Sequence, residues 1–267
     1  MGRVDLGYYG TRLWRRLRDL SGGSMQYADN NGVRIAFDVE GSGPPLLLHH
    51  GWLGNRKDWS LMGYVGPLAQ DFTVITMDAR CHADSDTPAD RKKIERADLA
   101  SDVVAVLDAA GVEKAHMLGY SLGGFVGIAV ATWHTARLGS LAFGGWDPVL
   151  IDLQQEYRRV PMADVMAQVG PYIPWLTEDR IDGVAAVRRP TYRRDIEPKR
   201  LVETGLPVMM WCGESDPYLT GMQVMAKRYP DVPLLTVEGD HLTAMTRETP
   251  RIVDELKTFF SANPLWM

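Results

Sequence analysis

Gly119-Tyr120-Ser121-Leu122-Gly123 constrains this chain more tightly than any other five residues in it. The apolar run Ala115-His116-Met117-Leu118 leads in, and a run of small apolar residues and helix formers, Phe125 to Thr132, leads out. That order reads as strand, sharp turn and helix, with a serine at the apex. A serine so placed is pushed clear of the backbone on a strained turn. Its neighbours two positions away on each side must then lack a Cβ, and both are glycine. Gly124 leaves further room for the helix to pack on a sheet.

The rest of the chain alternates in the same way. Met25 to Asp29 and Val33 to Val39 flank Asn30-Asn31-Gly32, a hairpin signal. Pro45 to His49 and Phe72 to Met77 are short apolar runs, as expected of strands covered on both faces. Asn55 to Gln70 has helix-compatible spacing that Gly63 and Gly66 weaken. Ala97 to Ala110 reads as a helix with Leu99, Val103, Val106 and Leu107 on one face and Gly111 at its end. Leu141 to Gly144, Val208 to Cys212 and Leu234 to Val237 read as strands, Met222 to Arg228 and Arg251 to Phe260 as helices. The expected class is α/β: a mostly parallel central sheet with helices on both faces and antiparallel strands at one edge. Residues 147–203 break the rhythm, being rich in Arg, Pro, Met and aromatics without a clear buried strand. They read as a small helical lid inserted into a core of residues 25–146 and 204–267.

Composition sets the outer bounds. The chain has 267 residues, 45% hydrophobic and 24% charged, with a net charge of −5, which suits one large globular domain with an inserted lobe. Nothing in the charge pattern predicts nucleic-acid binding, which needs a basic surface. Cys81 and Cys212, the two cysteines, read as reduced thiols of a cytoplasmic protein. No apolar run approaches the roughly 20 residues needed to span a bilayer, so no stable membrane insertion is expected. Residues 1–24 read as an extension, helical or flexible. Leu6, Tyr9, Leu13, Leu17 and Leu20 fall at helical spacing among arginines, but these arginines leave no unbroken signal-peptide core. The segment reads either as a basic amphipathic helix on a membrane or partner, or as a tail docked on the body.

A serine hydroxyl needs a base to take its proton, and the base needs a group to hold its tautomer. His241 follows the last expected strand, in Glu238-Gly239-Asp240-His241. Asp216 follows the strand ending at Cys212, in Gly213-Glu214-Ser215-Asp216-Pro217. The chain order Ser, Asp, His with both partners after strands puts all three at the carboxyl edge of a parallel sheet.

These residues resemble the α/β-hydrolase superfamily, from about Gln26 to Phe260. His50-Gly51-Trp52 ends a strand and Trp59 lies eight residues after Gly51, similar to the family's H-G-x(7)-W pattern. Asp78-Ala79-Arg80 begins a segment similar to D-x-R-G-x-G-x-S, and the elbow, G-x-x-D and G-x-x-H loops follow. His50-Gly51-Trp52-Leu53 looks like bacterial aryl esterases of the esterase, perhydrolase and cofactor-free haloperoxidase group. The resemblance implies the α/β-hydrolase fold and a triad of Ser121, Asp216 and His241. Oxyanion donors would be the backbone N–H of Leu122, in the elbow helix, and of Trp52. One departure stands out: Cys81 and Ala83 replace the two glycines after the arginine, implying a different backbone or a narrower pocket wall.

Rival roles remain open at several positions. Asp147, after the strand ending at Gly144, occupies an alternative acid position. Asp240 reads as a loop cap and Glu214 as a solvated group. His49 and His82 invite a metal reading, but adjacent residues on a strand, such as His49 and His50, point to opposite faces and suit one site badly, so no metal is expected. His50 reads as a hydrogen-bonding residue of the oxyanion loop. Trp52, Tyr120, Leu122, Trp146, Met162, Tyr172 and Trp175 are candidates to line an apolar acyl or aryl pocket, with packing of the lobe as the alternative for the lid residues. Arg188, Arg189, Arg193 and Arg194 read as a solvated, ion-paired face, or as a lure for a carboxylate-bearing substrate.

The reading that unites these features is a cofactor-free serine hydrolase cleaving a carboxylic ester or lactone through an acyl-enzyme. A perhydrolase, a C–C bond hydrolase on the same triad, and a hydrolase-fold small-molecule receptor with little turnover are the alternatives.

Overall fold

The computed structural model describes residues 25–90, 94–149, 162–192 and 195–265. The extension expected over residues 1–24, and residues 150–161 and 193–194 of the expected lid, lie outside the described residues.

The chain opens with a hairpin of β1 (Gln26–Asn30) and β2 (Val33–Gly41). Asn31 and Gly32 form its two-residue turn with φ of 54° and 81°, the left-handed pair that such a tight turn demands. Then follow β3 (Pro45–His49), β4 (Thr73–Met77), β5 (Ala115–Tyr120), β6 (Leu138–Gly144), β7 (Val208–Gly213) and β8 (Leu234–Val237). They make one eight-stranded sheet in the order β1-β2-β4-β3-β5-β6-β7-β8. β1 and β2 pair antiparallel at one edge, and every pairing from β4 to β8 is parallel.

The central strands are apolar on both faces because both are covered. On β3, Leu47 belongs to one core layer and Leu46 and Leu48 to the other. Each such buried leucine contributes about 2 kcal/mol. The first layer holds α3 (Arg96–Ala109), α4 (Leu122–Trp133) and α8 (Leu219–Arg228) against the sheet. The second holds α2 (Val65–Leu68), α9 (Ala244–Arg247) and α10 (Thr249–Ser261). α3 starts where the Asp98 carboxylate accepts the Glu95 N–H at 2.8 Å, and it stops at Gly111, whose φ is 69°.

The helix expected across Asn55 to Gln70 is instead two single turns, α1 (Asp58–Leu61) and α2. Gly63, at φ 84°, breaks the run between them. Between β6 and β7 the described residues are helical: α5 (Met162–Val169), α6 (Ile181–Arg188) and α7 (Pro198–Glu203), with 3₁₀ turns between. This excursion leaves and rejoins the sheet at one place. Leu141 N–H bonds Pro207 O at 2.9 Å, and Gly145 N–H bonds Trp211 O at 3.2 Å. No helix among the described residues is long and apolar enough to cross a membrane.

Candidate active site

β5 ends at Tyr120 and α4 begins at Leu122, so Ser121 alone makes the corner. Its φ of 53° and ψ of −108° are costly for a residue with a side chain. The surroundings over-determine it. Ser121 N–H bonds Gly144 O at 2.8 Å and Phe125 N–H bonds Ser121 O at 3.0 Å. A Cβ on Gly119 would lie 2.2 Å from Gly123 O, and one on Gly123 would lie 2.0 Å from His49 O. Only glycine fits at either position, as the sequence pattern requires.

The other two triad candidates arrive on loops tied to each other. Glu214 N–H bonds Val237 O at 2.8 Å and Ser215 N–H bonds Gly239 O at 3.0 Å. A Cβ on Gly213 would meet Gly239 O at 2.3 Å. The structure brings the three side chains together. His241 Nε2 lies 3.1 Å from Ser121 Oγ, and His241 Nδ1 lies 2.8 Å from Asp216 Oδ2. The other Asp216 oxygen accepts the Tyr218 N–H at 2.9 Å. The Asp216 side chain is fully buried while that of His241 is 26% exposed. Asp147, the alternative acid, accepts the Val149 N–H at 2.7 Å and lays its carboxylate on Gly221 of α8. Asp240 caps the following turn through the N–H groups of Leu242 and Thr243.

Leu122 is the first residue of α4, where helix geometry gives its N–H no internal acceptor. Trp52 lies in a turn closed by Gly54 N–H to Gly51 O at 3.0 Å. A Cβ on Gly51 would sit 3.4 Å from Ser121 Cβ, so this turn borders the serine. His50 lies within hydrogen bonds, as the sequence suggests. Its Nδ1–H donates to Gly51 O at 2.7 Å and its Nε2 accepts the Ala79 N–H at 2.9 Å. Burial pushes its pKa well below the usual histidine range.

The candidate pocket residues divide. Tyr120, expected on the pocket wall, is buried behind the histidine instead. Its hydroxyl donates to His241 O at 2.6 Å and its ring lies 5.3 Å from the imidazole. Gly145 makes room for it, since a Cβ there would lie 2.6 Å from the Tyr120 ring. Trp146 packs between Phe125 and Tyr218, whose ring covers the other side of His241 at 5.2 Å. Trp52 sends its indole N–H to Val184 O of α6 at 3.0 Å, with the Arg188 guanidinium 4.7 Å above its ring. Trp175 packs 5.3 Å from His82. Tyr172 is 42% exposed. Arg193 and Arg194 lie outside the described residues, as does the Met162 side chain. Sequence reasoning missed Tyr218, whose position two residues after Asp216 was the available signal, and the contact of His82 with the Trp52 loop.

The departure at Cys81 and Ala83 resolves unexpectedly. Both keep left-handed backbones, with φ of 66° and 42°. Cys81 N–H to Asp86 O and His82 N–H to Ala79 O hold that turn, with Ser85 Oγ–H to Asp78 O across it. Cys81 is fully buried, and Gly183 of α6 leaves space for it: a Cβ at 183 would lie 3.1 Å from Cys81 Sγ. Among the described residues no cluster of three or more His, Cys, Asp or Glu side chains is arranged to hold a metal ion.

The sheet order, the elbow and the loops after β7 and β8 define an α/β-hydrolase-fold protein, and residues 44–166 match the family model described as alpha/beta hydrolase fold. The comparisons with individual proteins agree. A 2-succinyl-6-hydroxy-2,4-cyclohexadiene-1-carboxylate synthase of Pectobacterium atrosepticum is 28% identical over 250 residues, 82% of this chain and 94% of the relative. An uncharacterised Mycobacterium tuberculosis protein is 39% identical over 121 residues, 45% of this chain and 34% of the relative, so the match spans about a third of that relative's length. A thermophilic esterase from Thermogutta terrifontis superposes with a TM-score of 0.75 at 20% identity, over 90% of this chain and 98% of the esterase.

Proposed function

We propose that this protein is a serine hydrolase of carboxylic esters or lactones, with Ser121 as nucleophile, His241 as base and Asp216 as the acid that orients it. The observation that carries the reading is the unbroken line Ser121 Oγ, His241 Nε2, His241 Nδ1, Asp216 Oδ2, with steps of 3.1 and 2.8 Å. Ser121 Oγ attacks the carbonyl carbon as His241 Nε2 takes its proton. The oxyanion forms toward the N–H groups of Leu122 and Trp52. His241 then gives the proton to the leaving alkoxide, and the alcohol departs. Water, activated by the same nitrogen, cleaves the acyl-enzyme. Asp216 holds the Nδ1–H tautomer and stabilises the imidazolium. Two main-chain donors of this kind are worth about 3–4 kcal/mol each to the transition state. The compartment in which this chemistry takes place we propose to be the cytoplasm, from the two thiols alone.

Likeness to an esterase fold supports the ester reading. The relative matched along 94% of its length, a synthase named for a cyclohexadiene carboxylate, supports a second one: chemistry on the same triad that yields a carboxylated six-membered ring. The test is turnover of a panel of p-nitrophenyl esters and lactones by wild type and Ser121→Ala, with fluorophosphonate labelling located by mass spectrometry. Label on Ser121 and loss of turnover in the alanine variant are expected. Undiminished turnover by folded Ser121→Ala would remove the proposal. Labelling of Ser121 without ester or lactone turnover would move it to the second reading.

A further inference from the structure

The turn that carries the Trp52 N–H is held in a form its sequence disfavours. Gly51 O accepts the Gly54 N–H at 3.0 Å, so Trp52 and Leu53 are its central residues. Leu53, the third residue, has a φ of 68°. A four-residue turn with a left-handed third position normally puts glycine there, and a leucine favours the other common form, reached by flipping the central peptide. The donor of that central peptide is the Leu53 N–H, and it points at His82: the distance to Nε2 is 3.3 Å.

The acceptor is itself fixed. His82 Nδ1–H donates to Arg80 O at 3.0 Å, which leaves the lone pair on Nε2. The ring is fully buried, between His50 at 5.3 Å and Trp175 at 5.3 Å. Burial lowers its pKa to about 4, so it stays neutral and accepting near pH 7. The peptide before the turn is anchored too. Gly51 O takes the His50 Nδ1–H at 2.7 Å, and in a trans peptide the Trp52 N–H must then point the opposite way. Ala79 N–H to His50 Nε2 and Leu53 N–H to His82 Nε2 therefore lace the loops 49–54 and 78–85 together in both directions.

We propose that His82 is a positioning residue for the oxyanion donor: by accepting the Leu53 N–H it holds the Trp52–Leu53 peptide unflipped, and so keeps the turn closed in the one form in which His50, through Gly51 O, directs the Trp52 N–H beside Ser121. This rests on the serine-hydrolase reading above. It assigns His82 a part in the transition state while it touches neither substrate nor triad.

The experiment compares His82→Phe with His82→Gln. Phenylalanine keeps a ring against Trp175 and removes the acceptor, whereas the glutamine amide supplies both an acceptor and a donor. Each variant is read with the best p-nitrophenyl ester for kcat and KM, and with the matching trifluoromethyl ketone, whose adduct on Ser121 bears the oxyanion. For His82→Phe, kcat is expected to fall about 10- to 100-fold and ketone affinity by the same factor, with KM near wild type. For His82→Gln both should return to within about threefold of wild type. Wild-type kcat in folded His82→Phe overturns the inference. So does an equal loss in both variants, or a loss of kcat without weaker ketone binding, since packing alone would give those. If Ser121→Ala stays active the serine reading itself has failed, a result separate from these. Should neither variant fold, the intact protein with isotope-labelled histidine decides by magnetic resonance: an Nδ1–H tautomer at His82 supports the inference and an Nε2–H tautomer overturns it.

Discussion

Ser121 holds a backbone that strain disfavours, and Asp216 spends both of its oxygens on the site, one on His241 and one on the Tyr218 amide. Asp216→Asn keeps the shape but offers the wrong partner for the Nδ1–H. Its kcat is expected to fall by about 10⁴, with KM little changed, in steady-state assays of the best ester. Asp147→Asn is expected to leave kcat within about threefold, because that carboxylate serves the turn to Val149. The reverse result would transfer the acid role to Asp147. The convergence of Ser121, Asp216 and His241 was legible because glycines and strand ends mark their positions. Tyr120 was misjudged although the signal was there. On β5, Leu118 and Tyr120 share one face and Met117 takes the other, so Tyr120 had to point at the layer under α9 and α10, away from α4.

The parallel strands could be read from the chain because each is a short apolar run buried on both faces. The single-turn helices α1 and α2 could not, because a four-residue helix carries no periodicity. Residues 147–203 read in sequence only as helical and inserted. The packing of the described ones depends on distant partners, and Gly183 shows why. In sequence it looks like a weak point of α6, yet it faces the side chain of Cys81, itself forced onto a left-handed turn. Gly183→Ala would put a Cβ 3.1 Å from Cys81 Sγ and 2.8 Å from Thr87 Cγ2. It is expected to cost about 1–3 kcal/mol in urea unfolding. In a Cys81→Gly background the cost should shrink, since one of the two opposing side chains is gone and residue 81 has the freedom its φ asks for. Additive losses in this double-mutant cycle would show that the two positions do not bear on each other.

The buried histidines tie the stability of the fold to pH. His116 sits between Phe72 and Phe260, binds Ser140 Oγ at 2.8 Å, and is held by burial at a pKa of about 4. Its folded value lies below the unfolded one of about 6.5. The neutral ring therefore stabilises fully above pH 6.5, and that stability is lost as pH falls through 4. Asp58 acts in the opposite sense: burial raises it to about 7, so acid relieves it. The measurable prediction is a difference. Relative to wild type, His116→Gln should gain stability as pH falls from about 6.5 to about 4, by at most about 1.4 kcal/mol per unit, in urea melts at each pH. A constant offset would show that His116 does not titrate across that window. One further property follows from the place where residues 145–206 depart and return. β6 and β7 are already hydrogen-bonded neighbours there, so the sheet closes without the intervening stretch. That stretch is a cassette. A graft taken from another protein of this architecture is expected to leave the frame intact, on one condition: it must bring a carbonyl to the spot where Val184 now meets the Trp52 indole.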